Sequence, residues 1–104
     1  MEPDPNARVT VCLRPDGSFE ILVNEAGRDL LVAELQGLDE RWDHFHLDHY
    51  SDPEMRFATD VPLAGIAYQA GDRVITTGKV SLRPEKWDAE YFPHVLAAND
   101  GGDG

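Results

Sequence analysis

The chain has 104 residues, of which 41% are hydrophobic and 28% charged, enough apolar material for one packed core and too little for a second. Twenty acidic against nine basic side chains, seven of the nine arginine, leave a net charge of −11, which argues against direct binding to a phosphate backbone or an anionic lipid surface. No apolar run approaches the roughly 18 residues that a membrane-spanning helix needs.

The opening segment Met1-Glu2-Pro3-Asp4-Pro5 is acidic and proline-rich, whereas an export signal is basic and then apolar, and the single cysteine, Cys12, has no internal disulfide partner. A reducing, cytoplasmic location is the expectation. Residues 1–7 are expected to form an extended arm. From Arg8 to Leu13 the pattern alternates, with Val9, Val11 and Leu13 on one face and Arg8, Thr10 and Cys12 on the other, as in a half-buried strand. Arg14-Pro15-Asp16-Gly17 is turn chemistry: proline presets the backbone, aspartate tolerates the next position, and glycine accepts the positive φ that closes the turn. The return strand, Ser18 to Val23, is expected to turn Phe19, Ile21 and Val23 inward. Asn24 can cap a helix in which Gly27, Leu30, Leu31, Leu35 and Leu38 share a face laid on the sheet, with Gly37 as its stop.

After the polar joint Asp39-Glu40-Arg41, the segment Trp42 to His49 reads as a third strand with Phe45 and Leu47 on one side and Trp42, His44, His46 and Asp48 on the other. Val61 to Tyr68 reads as a fourth strand, begun near Pro62 and interrupted by Gly65. Arg73 to Leu82 comes after the turn Gln69-Ala70-Gly71-Asp72 as a fifth strand. Pro84 opens a closing helix carrying Trp87, Tyr91 and Phe92 until Pro93 breaks it, and residues 99–104 are expected to be a disordered tail. The expected architecture is a single α+β domain over residues 8–98, a mostly antiparallel sheet of about five strands with two helices in the order ββαβββα.

The densest chemistry is His44-Phe45-His46-Leu47-Asp48-His49, which gathers three of the four histidines. His44, His46 and His49 are the candidate ligands if the chain holds zinc, because neighbouring imidazoles on one face of a strand can supply two corners of a tetrahedral site. The six letters resemble the H-x-H-x-D-H signature of the metallo-β-lactamase superfamily. That resemblance implies an apolar strand before the motif, a helix after it and further ligands downstream. Here Glu40-Arg41-Trp42-Asp43 precedes it, Tyr50-Ser51-Asp52-Pro53 comes after it, and His94 is the only later histidine, so the match is read as accidental. Imidazoles on the wet side of a half-solvated sheet, paired with nearby aspartates, account for the pattern more simply. No catalytic residue is assigned: Cys12 lies within a strand, no glycine-flanked serine forms an elbow, and no glycine-rich loop opens a helix.

Between Phe19 and about Tyr68 the order of strand, Asn24-Glu25-Ala26-Gly27 opening a leucine-rich helix, polar joint, His44-Phe45-His46-Leu47-Asp48 and Val61-Pro62-Leu63 resembles the immunity protein 32 family of small bacterial proteins from polymorphic toxin systems. The likeness covers about half the chain; the strand from Arg73 and the closing helix lie outside it. It implies a non-catalytic protein that binds and neutralises a toxin. A cationic protein partner would complement the acidic chain, and Asp39, Glu40, Asp43, Asp48 and Asp52 around Trp42 are the expected contact, an aromatic anchor with a charged rim. Acidity that only maintains solubility is the plainer explanation of the same charge. Two other functions stay open: a small zinc-binding domain or metal-dependent hydrolase, and a subunit that self-associates, for instance as a homodimer.

Overall fold

The computed structural model describes residues 6–102. Residues 1–5 of the expected arm, and Asp103 and Gly104 of the expected tail, lie outside the described residues.

The chain is a single α+β domain with elements in the order ββαββββαα. Strand β1 (Val9–Leu13) and strand β2 (Phe19–Val23) form the hairpin read from the sequence, in the register Val9 opposite Val23 and Leu13 opposite Phe19. Its turn closes with Gly17 at φ 92°, where a side chain would be strained. The Asp16 carboxylate accepts from the Ser18 amide at 2.9 Å and from its hydroxyl at 2.6 Å.

Helix α1 (Glu25–Gln36) starts where Asn24 caps it and stops at Gly37. The Asn24 amide does more than cap. Its oxygen accepts from the Gly27 amide at 2.8 Å and from the Arg8 amide at 2.9 Å, and its nitrogen donates to Asn6 O at 2.8 Å. One side chain thus fixes the angle between the helix and the strand that begins β1. Gly27 completes the joint, because a Cβ there would collide with the Arg8 carbonyl.

Among the described residues four further strands, β3 (His44–Asp48), β4 (Val61–Pro62), β5 (Arg73–Val74) and β6 (Thr77–Ser81), complete two three-stranded sheets, β2-β1-β5 and β4-β3-β6, rather than the one sheet expected. Strand β3 is shorter than the expected Trp42–His49; it runs parallel to β4 and antiparallel to β6. The expected fourth strand ends early because the chain changes partners: Leu63 N donates to Asp48 O at 2.8 Å, and the next amide, Ala64, donates to Val9 O at 2.8 Å. Gly65 then lies against the His49 ring, leaving no room for a Cβ.

The expected fifth strand divides in the same way into β5 (Arg73–Val74), paired with β1, and β6, paired with β3. At the division Ile75 N donates to Val11 O at 2.7 Å while Thr76 O accepts from His49 N at 2.9 Å. Adjacent residues in an extended chain point their backbone groups to opposite sides, so a single segment serves both sheets. The Gln69–Asp72 turn forms as read, with Gly71 at φ 88°, and Asp72 lies 3.1 Å from Arg14 Nε as an ion pair joining the two turns.

The core sits where the sheets meet. Val9, Phe45, Leu47, Val61 and Leu63 are buried together, and Val11, Leu30, Leu31, Leu38 and Val80 pack around them. Phe45 at 1% and Leu47 at 8% exposure face inward as the alternation of β3 required. Two expectations about facing are corrected. Phe19, Ile21 and Val23 are 67%, 52% and 40% exposed, because α1 turns Leu30 and Leu31 toward the core, joined there by Leu38 just after the helix, and leaves the outer strand uncovered; Leu35 is also exposed. Thr10, on the face opposite Val9, Val11 and Leu13, is fully buried, as is Cys12, which packs as a small hydrophobe.

Helix α2 (Glu85–Tyr91) begins after Pro84, which stands at the cap position, and α3 (Pro93–Gly102) begins at the proline expected to break the closing helix. The backbone of α3 takes in Asn99 to Gly102, the start of the expected tail. No described helix is long and apolar enough to cross a membrane.

Replacing Asn24 by alanine removes both the cap and the Arg8 tie, and a loss of about 2 kcal/mol is expected, at the upper end for a cap, measurable as a lower urea midpoint with an unchanged slope. The Thr10 hydroxyl is buried without a hydrogen-bond partner. Thr10→Val, which keeps the shape, is expected to raise stability by about 1 kcal/mol in the same titration.

Candidate functional site

Strand β3 presents His44, His46 and Asp48 to solvent because Phe45 and Leu47 take the core face, and the loop before it adds Trp42. Across the strand pair, His44 stands opposite Ser81, His46 opposite Lys79 and Asp48 opposite Thr77. Trp42 is 57% exposed, and its ring lies parallel to His44 with centroids 6.1 Å apart and an interplanar angle of 8°; His44 in turn meets His46 edge-on at 5.0 Å. The result is a continuous row of three flat rings along the outer face of the second sheet.

The loop that carries Trp42 is tightly held. Asp39 Oδ1 accepts from the Arg41 amide at 2.9 Å and the Trp42 amide at 2.7 Å. The Asp39 amide donates to Trp42 O at 2.9 Å, and Leu82 N donates to Asp43 O at 2.7 Å. An exposed indole on so constrained a backbone loses little freedom when something packs on it, which is the property of a binding anchor.

The acids expected around Trp42 divide. Asp39, Glu40 and Asp43 lie in its loop, whereas Asp48 is at the far end of β3 and Asp52 is beyond it. Most are engaged locally. Glu40 pairs with Lys86 at 2.8 Å, and Asp43 accepts from His44 Nδ1 at 2.7 Å. Asp48 accepts from Thr59 Oγ1 at 3.0 Å and Thr77 Oγ1 at 2.7 Å. Asp52 accepts from the Glu54 amide at 3.0 Å, capping a 3₁₀ turn over Pro53–Ala58. The surroundings of Trp42 therefore mix both signs of charge instead of forming a purely acidic rim.

Asp60, absent from the residues expected at this site, belongs to the same face. Its Oδ2 accepts from the His46 amide at 2.9 Å and lies 3.9 Å from His46 Nδ1. It also faces α1, where burial and then the Asp60 charge raise the Glu34 carboxyl above its ordinary value. Nothing in the spacing of Asp60 from His46 marks that contact, since the loop between them is irregular.

The histidines expected as metal ligands are not brought together as a set. His44 and His46 share a face, but His49 lies beyond the end of β3, where its Nδ1 donates to Leu63 O at 2.9 Å and its ring packs on Gly65. Both oxygens of Asp48 are occupied by threonine hydroxyls. Among the described residues no three histidine, cysteine, aspartate or glutamate side chains are grouped so that they could hold a metal ion.

Compared with protein-family models, with curated proteins and with solved structures, the chain matches none of them.

The hydrogen bond from His44, followed by smaller contributions from the His44 and Arg83 charges, holds the Asp43 carboxyl below its ordinary value of 3.8. A lowered carboxylate contributes stability that is present above its unfolded value and is lost as pH falls through the folded one. Carboxyl-carbon NMR titration is expected to place the Asp43 midpoint below that of an unfolded reference, and His44→Ala to move it back up.

Proposed function

We propose that this protein is a non-catalytic binding protein of the immunity kind, which captures a cationic protein partner such as a toxin through the Trp42, His44 and His46 face. One observation carries the reading: an exposed tryptophan, on a loop fixed by four hydrogen bonds from backbone amides, heads a row of three contacting rings, the first two stacked and the next edge-on, on the open face of a sheet. Aromatic residues so placed are enriched among the few that dominate binding energy.

Charge has a second role in this reading. The acids near Trp42 are mostly paired, so the net charge of −11 acts at a distance, accelerating encounter with a positive surface and discouraging anionic competitors. Affinity itself comes from the rings. The likeness to immunity proteins supports the reading through the segment from Phe19 to Tyr68, although Asn24, Gly27, Phe45, Leu47, Val61 and Leu63, which carry much of that likeness, have capping or packing roles.

The test is binding of the purified full-length chain to the cationic products of the genes flanking its own, by calorimetry and by stopped-flow mixing at low and high salt. A one-to-one complex is expected. Trp42→Ala is expected to weaken it by about 30-fold or more with unchanged circular dichroism. Added salt is expected to lower the association rate more than it raises the dissociation rate. Absence of any such complex, or an affinity that survives Trp42→Ala, overturns the reading.

A further inference from the structure

Among the described residues no strand pairs with the outer edge of the first sheet. In the β1–β2 ladder the backbone groups of Glu20 and Leu22 point toward β1, so those of Phe19, Ile21 and Val23 point outward along a free edge. Natural edges are blunted by lysine, proline, bulges or a covering element. The free edge of β6 obeys that rule, with Thr77, Lys79 and Ser81 exposed or half-buried along it. Among the described residues strand β2 has none of these devices. Its outward face is Phe19, Ile21 and Val23, and its one charge, Glu20, belongs to the other face, 3.5 Å from Arg14.

We infer that a second copy of this chain pairs with this edge, β2 against β2 in antiparallel register about a twofold axis at Ile21. Three observations select this occupant. First, the strand is complementary to itself: centring on Ile21 sets Phe19 opposite the second copy's Val23 and Val23 opposite its Phe19, so the exposed apolar residues meet apolar residues and Glu20 meets Leu22, not another carboxylate. Second, the arrangement is isologous, which closes after two subunits instead of propagating. Third, a hollow of about 270 Å³ lined by Val23, Asn24, Glu25 and Arg28 lies at the end of β2 where the second copy's phenyl ring arrives. The pairing would join the two β2-β1-β5 sheets into one six-stranded sheet.

The Trp42 face lies on the other sheet, so the dimer would offer two partner sites and the two proposals fail independently. Their salt dependence has opposite sign. Two copies that each carry −11 repel, so screening tightens the dimer, whereas it weakens capture of a cation.

Sedimentation equilibrium of the full-length chain across the micromolar range, at low and high salt, tests the inference. A dimer that strengthens with salt is expected, and Ile21→Lys is expected to make it monomeric with unchanged circular dichroism. Should that variant misfold, Ile21→Cys gives a second readout: directly opposed residues at such a position lie about 5.5 Å apart between Cα atoms, within disulfide range, so mild oxidation is expected to cross-link Ile21→Cys and not Glu20→Cys. A wild-type chain that stays monomeric, a dimer that Ile21→Lys leaves intact, or equal cross-linking at both positions overturns it.

Discussion

The structure depends on one joint, the meeting of Val9 with Leu63. The two three-stranded sheets share one core, and the five residues buried at their junction, Val9, Phe45, Leu47, Val61 and Leu63, come from both. Val9 is the contribution of the first sheet. Its position is set from two directions: the Asn24 amide holds the neighbouring Arg8, and the Ala64 amide donates to its carbonyl. The inward facing of Phe45 and Leu47, and with it the outward facing of the histidines between them, is a consequence of that packing.

Where the physics is local, the sequence is a good guide. The hairpin turn, the Asn24 cap, the Gly37 stop and the alternation of β3 each rest on interactions within a few residues, and each is found as read. The misreadings concern partners far along the chain. Alternation shows that one side of β2 is apolar, but whether that side is covered depends on where α1 lies, and α1 packs toward Val9 and Phe45 instead of Phe19. Likewise Val61–Tyr68 and Arg73–Leu82 have the composition of strands. Their division depends on which neighbour each amide meets, and composition holds no record of that.

The candidate site shows the same limit in chemical form. Three histidines and an aspartate within six residues suggest convergence, yet strand parity and the end of β3 send His49 toward Gly65 and engage Asp48 with two threonines. Counting acids near Trp42 suggests a negative rim, and yet Asp39, Glu40 and Asp43 are each engaged in holding the loop or pairing with a neighbour. Trp42 is legible as an exception because it falls on the histidine side of the alternation. Asp60 is not, for it reaches that face through an irregular loop.

The segment Arg73–Ser81 belongs to both sheets, first beside β1 and then beside β3, with only Ile75 and Thr76 between. It is a tie between the ring-bearing sheet and the sheet that holds the hairpin, because only two residues separate its pairing with one from its pairing with the other. The two sheets are therefore joined covalently as well as through the central cluster, which among the described residues holds five buried hydrophobic side chains.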